Sequence, residues 1–405
     1  MGQTTFPLLA ADLLRLRAST IGVLTAASGA VAVVTMAAVS ARVPTRQVRH
    51  ALVVALVVLA GAFPLIGDAH GLFALTIGVL VLGLAGGLVF PALVTAVGGI
   101  GGEEVVRGSR DRPIALLGVS LSLGLAIGPF VETAVLALSH ANLRTAFRWF
   151  ALGPLAAALV MAVVIVLGAD GSVPVAPPVP PVRVSLRRAL ADRAFEVALL
   201  GQLLYTAPFA AVVVFGALFA RHVYGLSLSQ VQIAFGVFFV MSFLVRSIVA
   251  WRSPIRHKLA WFHLSAVLTL AGLVVLAAGR DMAELLVAMA LLGVPHGLTF
   301  PLSMGIVAEG RPHSELASVN ARLSAAVQVV NLVLAPVLGL GIDDLGYRVT
   351  FALLVLPVAG AAVAQRRVAQ RRAGRHQDGE HEAQGSWVAP PVVQGAARRG
   401  PAESI

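Results

Sequence analysis

The sequence predicts an all-α, polytopic membrane protein built as two pseudo-symmetric helical bundles, on three observations. Hydrophobic residues make up 58% of the 405 positions and charged residues only 12%, against about a quarter charged in ordinary soluble domains. The apolar residues gather into eleven long runs, and the chain repeats itself at an offset of 210 residues. Spanning a bilayer takes about 20 apolar residues per helix, so eleven helices need roughly 220, and 58% of 405 supplies about 235. A soluble enzyme is excluded. So is an outer-membrane β-barrel, whose spans alternate apolar and polar residues instead of running continuously apolar.

The runs fall at about 20–41, 50–67, 71–100, 114–138, 147–168, 195–219, 229–250, 259–279, 283–307, 323–342 and 348–364, most of them within the usual span length of about 17–25 residues. Alternating sides, with the connection 42–49 in the cytoplasm, places 22 basic residues on the cytoplasmic side and seven on the other. This excess orients a multi-pass protein of the cell membrane with its central linker and C-terminal tail cytoplasmic. The net charge of +11 does not point to nucleic acid, because the basic residues punctuate apolar spans instead of forming one stripe. There are no cysteines, which excludes disulfides and thiolate chemistry. Met1 to Ser19 lacks the basic region followed by an apolar run that marks a signal peptide.

Four regions follow: a first bundle over 1–168, a linker with an amphipathic stretch over 169–194, a second bundle over 195–365, and a tail over 366–405. The linker carries Val-Pro-Val-Ala-Pro-Pro-Val-Pro-Pro-Val, which cannot be helical. The stretch Ser185-Leu186-Arg187-Arg188-Ala189-Leu190 behind it is basic and amphipathic, suited to a membrane surface. The tail is polar and charged, and its composition predicts disorder.

Two motifs share the repeat offset. Leu82-Gly83 and Gly87-Leu88-Val89-Phe90-Pro91 recur as Leu292-Gly293 and Gly297-Leu298-Thr299-Phe300-Pro301. Likewise Arg42-Val43-Pro44-Thr45-Arg46 recurs as Arg252-Ser253-Pro254-Ile255-Arg256. Two parallel halves joined by a linker are the signature of secondary transporters that rock about a site between them. Residue 211 pairs with residue 1, so Thr5 to Ala11 match only the last turns of the helix over 195–219. The first helix is therefore expected to be incomplete as given: either a true start lies upstream and adds about 16–20 mostly apolar residues, or the protein lacks nearly all of that helix.

On these residues the chain resembles the major facilitator superfamily, over about 6–365. Arg42 and Arg46 fit the basic positions of that family's loop motif Gly-x-Leu-Ala-Asp-Arg-x-Gly-Arg-Lys. Ala37, Ala41 and Pro44 replace its first glycine, its aspartate and its second glycine, which weakens the charged latch this motif provides. Gly124-Leu125-Ala126-Ile127-Gly128-Pro129 is similar to the glycine–proline signature of the fifth family helix. The resemblance implies a six-plus-six arrangement, a small-molecule substrate, a coupling proton in proton-driven members, a monomer, no cofactor, and a gating role for Arg42, Arg46, Arg252 and Arg256. The glycine–proline signature tilts the reading toward export.

Polar groups deep in a span are costly and mark pathways by default. Glu132 reads as a coupling or substrate-pairing carboxylate, or as a group paired to Arg148 near the outer headgroups. Arg246, about a turn and a half from a span end, reads as a side chain snorkelling to the interface. His296 lies near mid-span where the first half has Gly86; an imidazole there binds substrate, exchanges a proton, or joins two helices. Gln202, Tyr205 and Thr206 share one helical face, as do Gln328 and Asn331, facing either a cavity or a neighbouring helix. Pro91, Pro129, Pro301 and Pro336 are expected to bend their helices, and Gly87, Gly124, Gly128 and Gly297 to allow close packing. No metal-ligand spacing or nucleotide loop occurs among these motifs. The function read from the sequence is alternating-access transport of a small solute, set against a non-transporting relative that keeps the fold.

Overall fold

The computed structural model describes residues 4–40, 47–98, 111–167, 185–252, 255, 257–309, 311 and 313–385. Among them helices account for nearly everything and no strand occurs. Eleven helices are long and apolar enough to cross a membrane, and each contains most of one predicted run.

The first half opens with α1 (Thr5–Leu8) and a wide π-helical turn over Leu9–Leu13. It continues with α2 (Ala18–Ser40), α3 (Val48–Gly67), α4 (Leu72–Gly98), α5 (Asp111–Leu138), and the stacked pair α6 (Leu143–Phe150) and α7 (Leu152–Val166). After the short α8 (Leu186–Leu190) the second half comprises α9 (Arg193–His222), α10 (Leu228–Trp251), α11 (Lys258–Ala278), α12 (Met282–Ala308), α13 (His313–Leu353) and α14 (Val355–Gly385). Gly346, at φ +79°, divides α13 so that Ser318–Leu345 and Tyr347–Gln370 form separate spans. Side-chain caps start several helices: Asn142 accepts from the Thr145 amide (3.2 Å), Asp192 from Ala194 (2.7 Å), and Asp281 from Glu284 (2.9 Å). These satisfy amides that helix geometry leaves without partners.

One expectation is corrected here. The tail predicted to be disordered from residue 366 is helical as far as Gly385. The reason is local: Arg366 to Arg372 is Arg, Val, Ala and Gln with no proline, and the first proline beyond the span is Pro390. Good helix formers let an existing helix propagate out of the bilayer.

The repeat extends to individual contacts. A Cβ at Gly83 would overlap the backbone carbonyl of Ser28, and one at Gly293 would overlap that of Phe238. Gly87 meets Ala32 and Thr35 on α2, and Gly297 meets Ser242 and Val245 on α10; Ser28 and Ala32 lie 210 residues before Phe238 and Ser242. At the ends of α3 and α11, Arg144 donates to the Gly67 and Ala69 carbonyls (3.0 and 2.7 Å). Arg348 donates to the Ala277 and Gly279 carbonyls (2.6 and 2.7 Å), acceptors that lie 210 residues after Gly67 and Ala69, though the arginine itself is not at the repeat offset. Even the turn after the π-helical segment repeats: Leu16 donates to Ala10 and Leu226 to Ala220, beside Arg15 and Gly225, both at positive φ.

These glycines permit helix axes to approach until backbones touch, the packing expected where lipid supplies no hydrophobic drive between helices. Gly83→Val is therefore expected to lower the melting temperature sharply, because overpacking against a backbone carbonyl costs about 1–3 kcal/mol or more. Gly86→Ala, three residues away with nothing within 4 Å of an added Cβ, is expected to leave it nearly unchanged. Melting of the two detergent-solubilised variants side by side checks this, and equal melting points would contradict it.

Candidate substrate site

Because consecutive spans alternate in direction, the α2–α3 connection and the central linker lie at one end of the bundle, here the linker end. The two halves meet mainly at the opposite end. There Gly22 of α2 abuts Ala335 and Pro336 of α13, and Gly339 of α13 abuts Ala18 and Ser19. The Asp343 carboxylate crosses between halves and accepts from the backbone amides of Ala18 (3.0 Å) and Ser19 (3.1 Å). It thus caps the other half's helix, with its charge on the favourable end of the helix dipole. On the other side of the molecule α5 packs on α10, where a Cβ at Gly236 would lie 2.8 Å from the Phe130 ring. The π-helical turn after α1 completes this closure, since Asp12 lies 3.2 Å from His222 Nε2 and 3.6 Å from Arg221 Nε. In the loop between α9 and α10 the Tyr224 phenol donates to the Leu276 carbonyl at 2.8 Å. Burial pushes its pKa up to about 12, opposed by Arg348, so it stays a donor.

Toward the linker end, α5 and α13, which pack across the halves at the closed end, become exposed. Residues 118–121 and 123–125 of α5 are exposed, as are Ala321, Arg322, Ser324, Ala325 and Gln328 of α13.

Between the halves lies a cavity of about 830 Å³, within the range that houses drug-sized ligands. The first half contributes Phe6 and Pro7 of α1, Thr25, Ser28, Gly29 and Ala32 of α2, Phe63 of α3, Gly86 of α4 and Phe150 and Gly153 of α6 and α7. The second half contributes Phe209, Ala210, Val213 and Val214 of α9 and Gln328, Asn331, Leu332 and Ala335 of α13. No charged side chain occurs among the described lining residues. The polar groups are Thr25, Ser28, Gln328 and Asn331. Asn331 Nδ2 donates to Gln328 Oε1 at 3.3 Å, and its buried Oδ1 has no partner.

Behind Phe209 sits His296. Its imidazole stacks on Phe209 (centroids 4.4 Å apart, planes at 11°) and lies against Phe238, Tyr205 and Phe239 at 5.3, 5.8 and 6.0 Å. Arg246 adds to this cage. Its guanidinium donates to the His296 carbonyl (3.2 Å) and to Ser122 of the first half (3.0 Å), and lies 3.5 Å from His296 Nε2. The expected snorkelling of Arg246 is thus corrected: the side chain turns inward and bridges α10, α12 and α5, while its buried Nε stays unpartnered.

Glu132 is buried outside the cavity lining. Thr5 and Thr4 donate to its Oε2 at 2.7 and 3.0 Å, and Gln232 of α10 donates to Thr5 at 3.2 Å. The group lies where α1, α5 and α10 meet. Arg148, its suggested partner, pairs instead with Asp68 at 2.6 Å.

Of the predicted site residues, Gln328 and Asn331 line the cavity. His296 lies one ring behind it. Gln202 and Tyr205 are buried in packing, with the Tyr205 phenol donating to the Leu292 carbonyl at 2.8 Å. Gly87 and Gly297 pack tightly, whereas Gly124 and Gly128 do not, since an added Cβ at either meets nothing within 4 Å. Gly124 lies in the exposed stretch of α5. Pro91, Pro129, Pro301 and Pro336 lie inside helices. Arg252 is exposed at the linker end; Arg42, Arg46 and Arg256 lie outside the described residues. Sequence reasoning missed Phe63, Phe150 and Phe209, which read as ordinary apolar residues, and Asp343, which read as a span boundary.

A family model described as Major Facilitator Superfamily matches residues 2–313 and 257–402. No curated protein matches the chain. Among solved structures, the nucleoside transporter NupG in a mutant form is similar at 13% identity with a TM-score of 0.70, over 91% of this chain and 95% of that one. A bacterial homolog of the human lysosomal transporter Spinster, in an inward-facing and occupied conformation, is similar at 14% identity with a TM-score of 0.64, over 91% and 93%. A mutant of the peptide transporter POT matches at 11% identity with a TM-score of 0.64, over 91% of each chain. At such identities the likeness concerns the fold, while the family match spans nearly the whole sequence. The chain belongs to the major facilitator superfamily of secondary transporters.

Proposed function

We propose that the protein moves a small, neutral, largely apolar solute across the bilayer by alternating access, binding it in the cavity between the halves. The observation that carries this reading is the cavity's lining, drawn from both halves, apolar apart from two hydroxyls and two amides, and free of charge among its described residues. An organic acid or a cation would enter such a chamber without a counter-charge, at a cost of several kcal/mol. A neutral solute with one polar end carries no such cost, and that end meets the exposed Gln328 amide on the cavity wall, a group that both donates and accepts. With the 22 basic residues counted for the linker side facing the cytoplasm, closure at the other end makes this an inward-facing state.

The test is transport and binding by the purified chain in proteoliposomes, against a library of neutral and charged solutes. The paired change Gln328→Ala and Asn331→Ala is expected to weaken binding of the transported solute about tenfold, since hydrogen bonds contribute about 0.5–1.5 kcal/mol each, and to leave the melting temperature unchanged. Selective transport of charged solutes, or an unaltered affinity in the double variant, would refute the assignment.

A further inference from the structure

We infer that Gly86 is a specificity-determining position and that the transported solute carries a flat ring that seats against it; this rests on the reading of the cavity as the solute chamber. The inference comes from comparing the halves position by position. Gly86 lies 210 residues before His296. In the second half that position carries a planar imidazole, stacked on Phe209 at 4.4 Å and flanked by Phe238 and Phe239. In the first half the equivalents of Phe238, Phe239 and His296 are Ser28, Gly29 and Gly86, and all three line the cavity. The second half therefore fills its chamber with its own ring, whereas the first half leaves the corresponding volume open.

Gly86 differs from its neighbours. Gly83 and Gly87 are glycines because α2 leaves no room for a side chain. An added Cβ at Gly86 meets nothing within 4 Å, so helix packing does not require glycine there. Aromatic surface surrounds the opening: Phe63 and Phe150 line it and lie edge to face, 6.0 Å apart at 72°, and Phe209 lines it from the other half. Such rings favour a flat partner in offset-stacked or edge-on contact over a puckered one of equal size. The exposed Gln328 amide on the cavity wall supplies an acceptor for an N–H or O–H on that partner.

The experiment measures affinity of the full chain in nanodiscs for two neutral probes of similar size, indole (flat, one N–H) and cyclohexanol (puckered, one O–H). Wild type, Gly86→Ala and Gly86→His are compared. The expected result is that wild type prefers indole, that Gly86→Ala binds it more weakly, and that Gly86→His binds it roughly ten- to a hundred-fold more weakly. The alanine variant keeps the comparison informative if the histidine variant folds poorly. Equal indole affinity in all three proteins would overturn the role of Gly86. Should the paired Gln328 and Asn331 change still weaken indole in that case, the cavity reading survives alone. Equal affinity for both probes would overturn the ring. No binding of either probe by wild type would overturn the inference and the neutral-solute reading together.

Discussion

Gly22→Val or Gly339→Val is expected to push the molecule open at the end opposite the linker and to stop transport. Both glycines sit where α2 and α13 cross. A side chain at Gly22 would overlap the Ala335 carbonyl and lie 2.7 Å from its carbon, and one at Gly339 would lie 2.7 Å from both Ala18 C and Ser19 Cα. These contacts exist only while that end is closed, so the clash penalises one conformation and spares the other. A penalty of about 1–3 kcal/mol shifts the population roughly 5–150-fold. The chain has no cysteine, which allows spin labels at His70→Cys and Arg280→Cys, exposed positions 210 residues apart on the two halves. The expected reading is a longer label-to-label distance in either valine variant. An unchanged distance distribution would mean that the α2–α13 crossing is not the gate.

Arg246→Met is expected to slow transport by tenfold or more without lowering the melting temperature. Arg246 is a partly buried cation within a span, and it donates to Ser122 and to the His296 carbonyl. A charge held within a span is expensive, and replacing a buried ionic group by an apolar one of similar size is often neutral or stabilising. Its retention points to a task in the cycle. Arg246 bonds both halves and supports the imidazole that backs the Phe209 wall of the cavity, so its loss uncouples wall and interface. Arg246→Lys is not expected to rescue turnover, because one ammonium cannot reproduce the fork that spans Ser122 and His296. Turnover in proteoliposomes, set beside melting curves, decides the matter. Full activity of the lysine variant would return Arg246 to the role of a snorkelling side chain, and full activity of the methionine variant would remove any role.

Both experiments address features of unequal visibility in the sequence. Gly83, Gly87, Gly293 and Gly297 stood out because repetition at one offset exposes a shared packing constraint, and the same offset flagged the exchange of His296 for Gly86. Gln328 and Asn331 were visible as amides in an apolar run. Gln202 and Tyr205 looked the same on paper, yet α9 turns them into packing against its neighbours. A periodicity of 3.6 says which residues share a face, and says nothing about what that face meets. Gly124 and Gly128 failed as packing glycines for a related reason: a glycine-rich face allows a close approach but does not require one. Glu132 stood out as a carboxylate within a span, while Thr4 and Thr5, which donate to it, and Gln232, which donates to Thr5, come from segments more than 90 residues away and left no local trace.

The amino-acid sequence determined the membrane class, the number and limits of the spans and the twofold repeat. Each of these follows from quantities summed along the chain, namely the free energy of burying apolar runs in hydrocarbon and the placement of arginines at their ends. The tertiary structure decided which polar groups face the cavity, which brace the closed end, and that Arg246 points inward. Those outcomes depend on the rotation of each helix about its axis and on contacts between halves, where a few degrees or one glycine exchange a substrate contact for a packing contact. The cavity belongs to neither half alone, so it exists only once the two are docked.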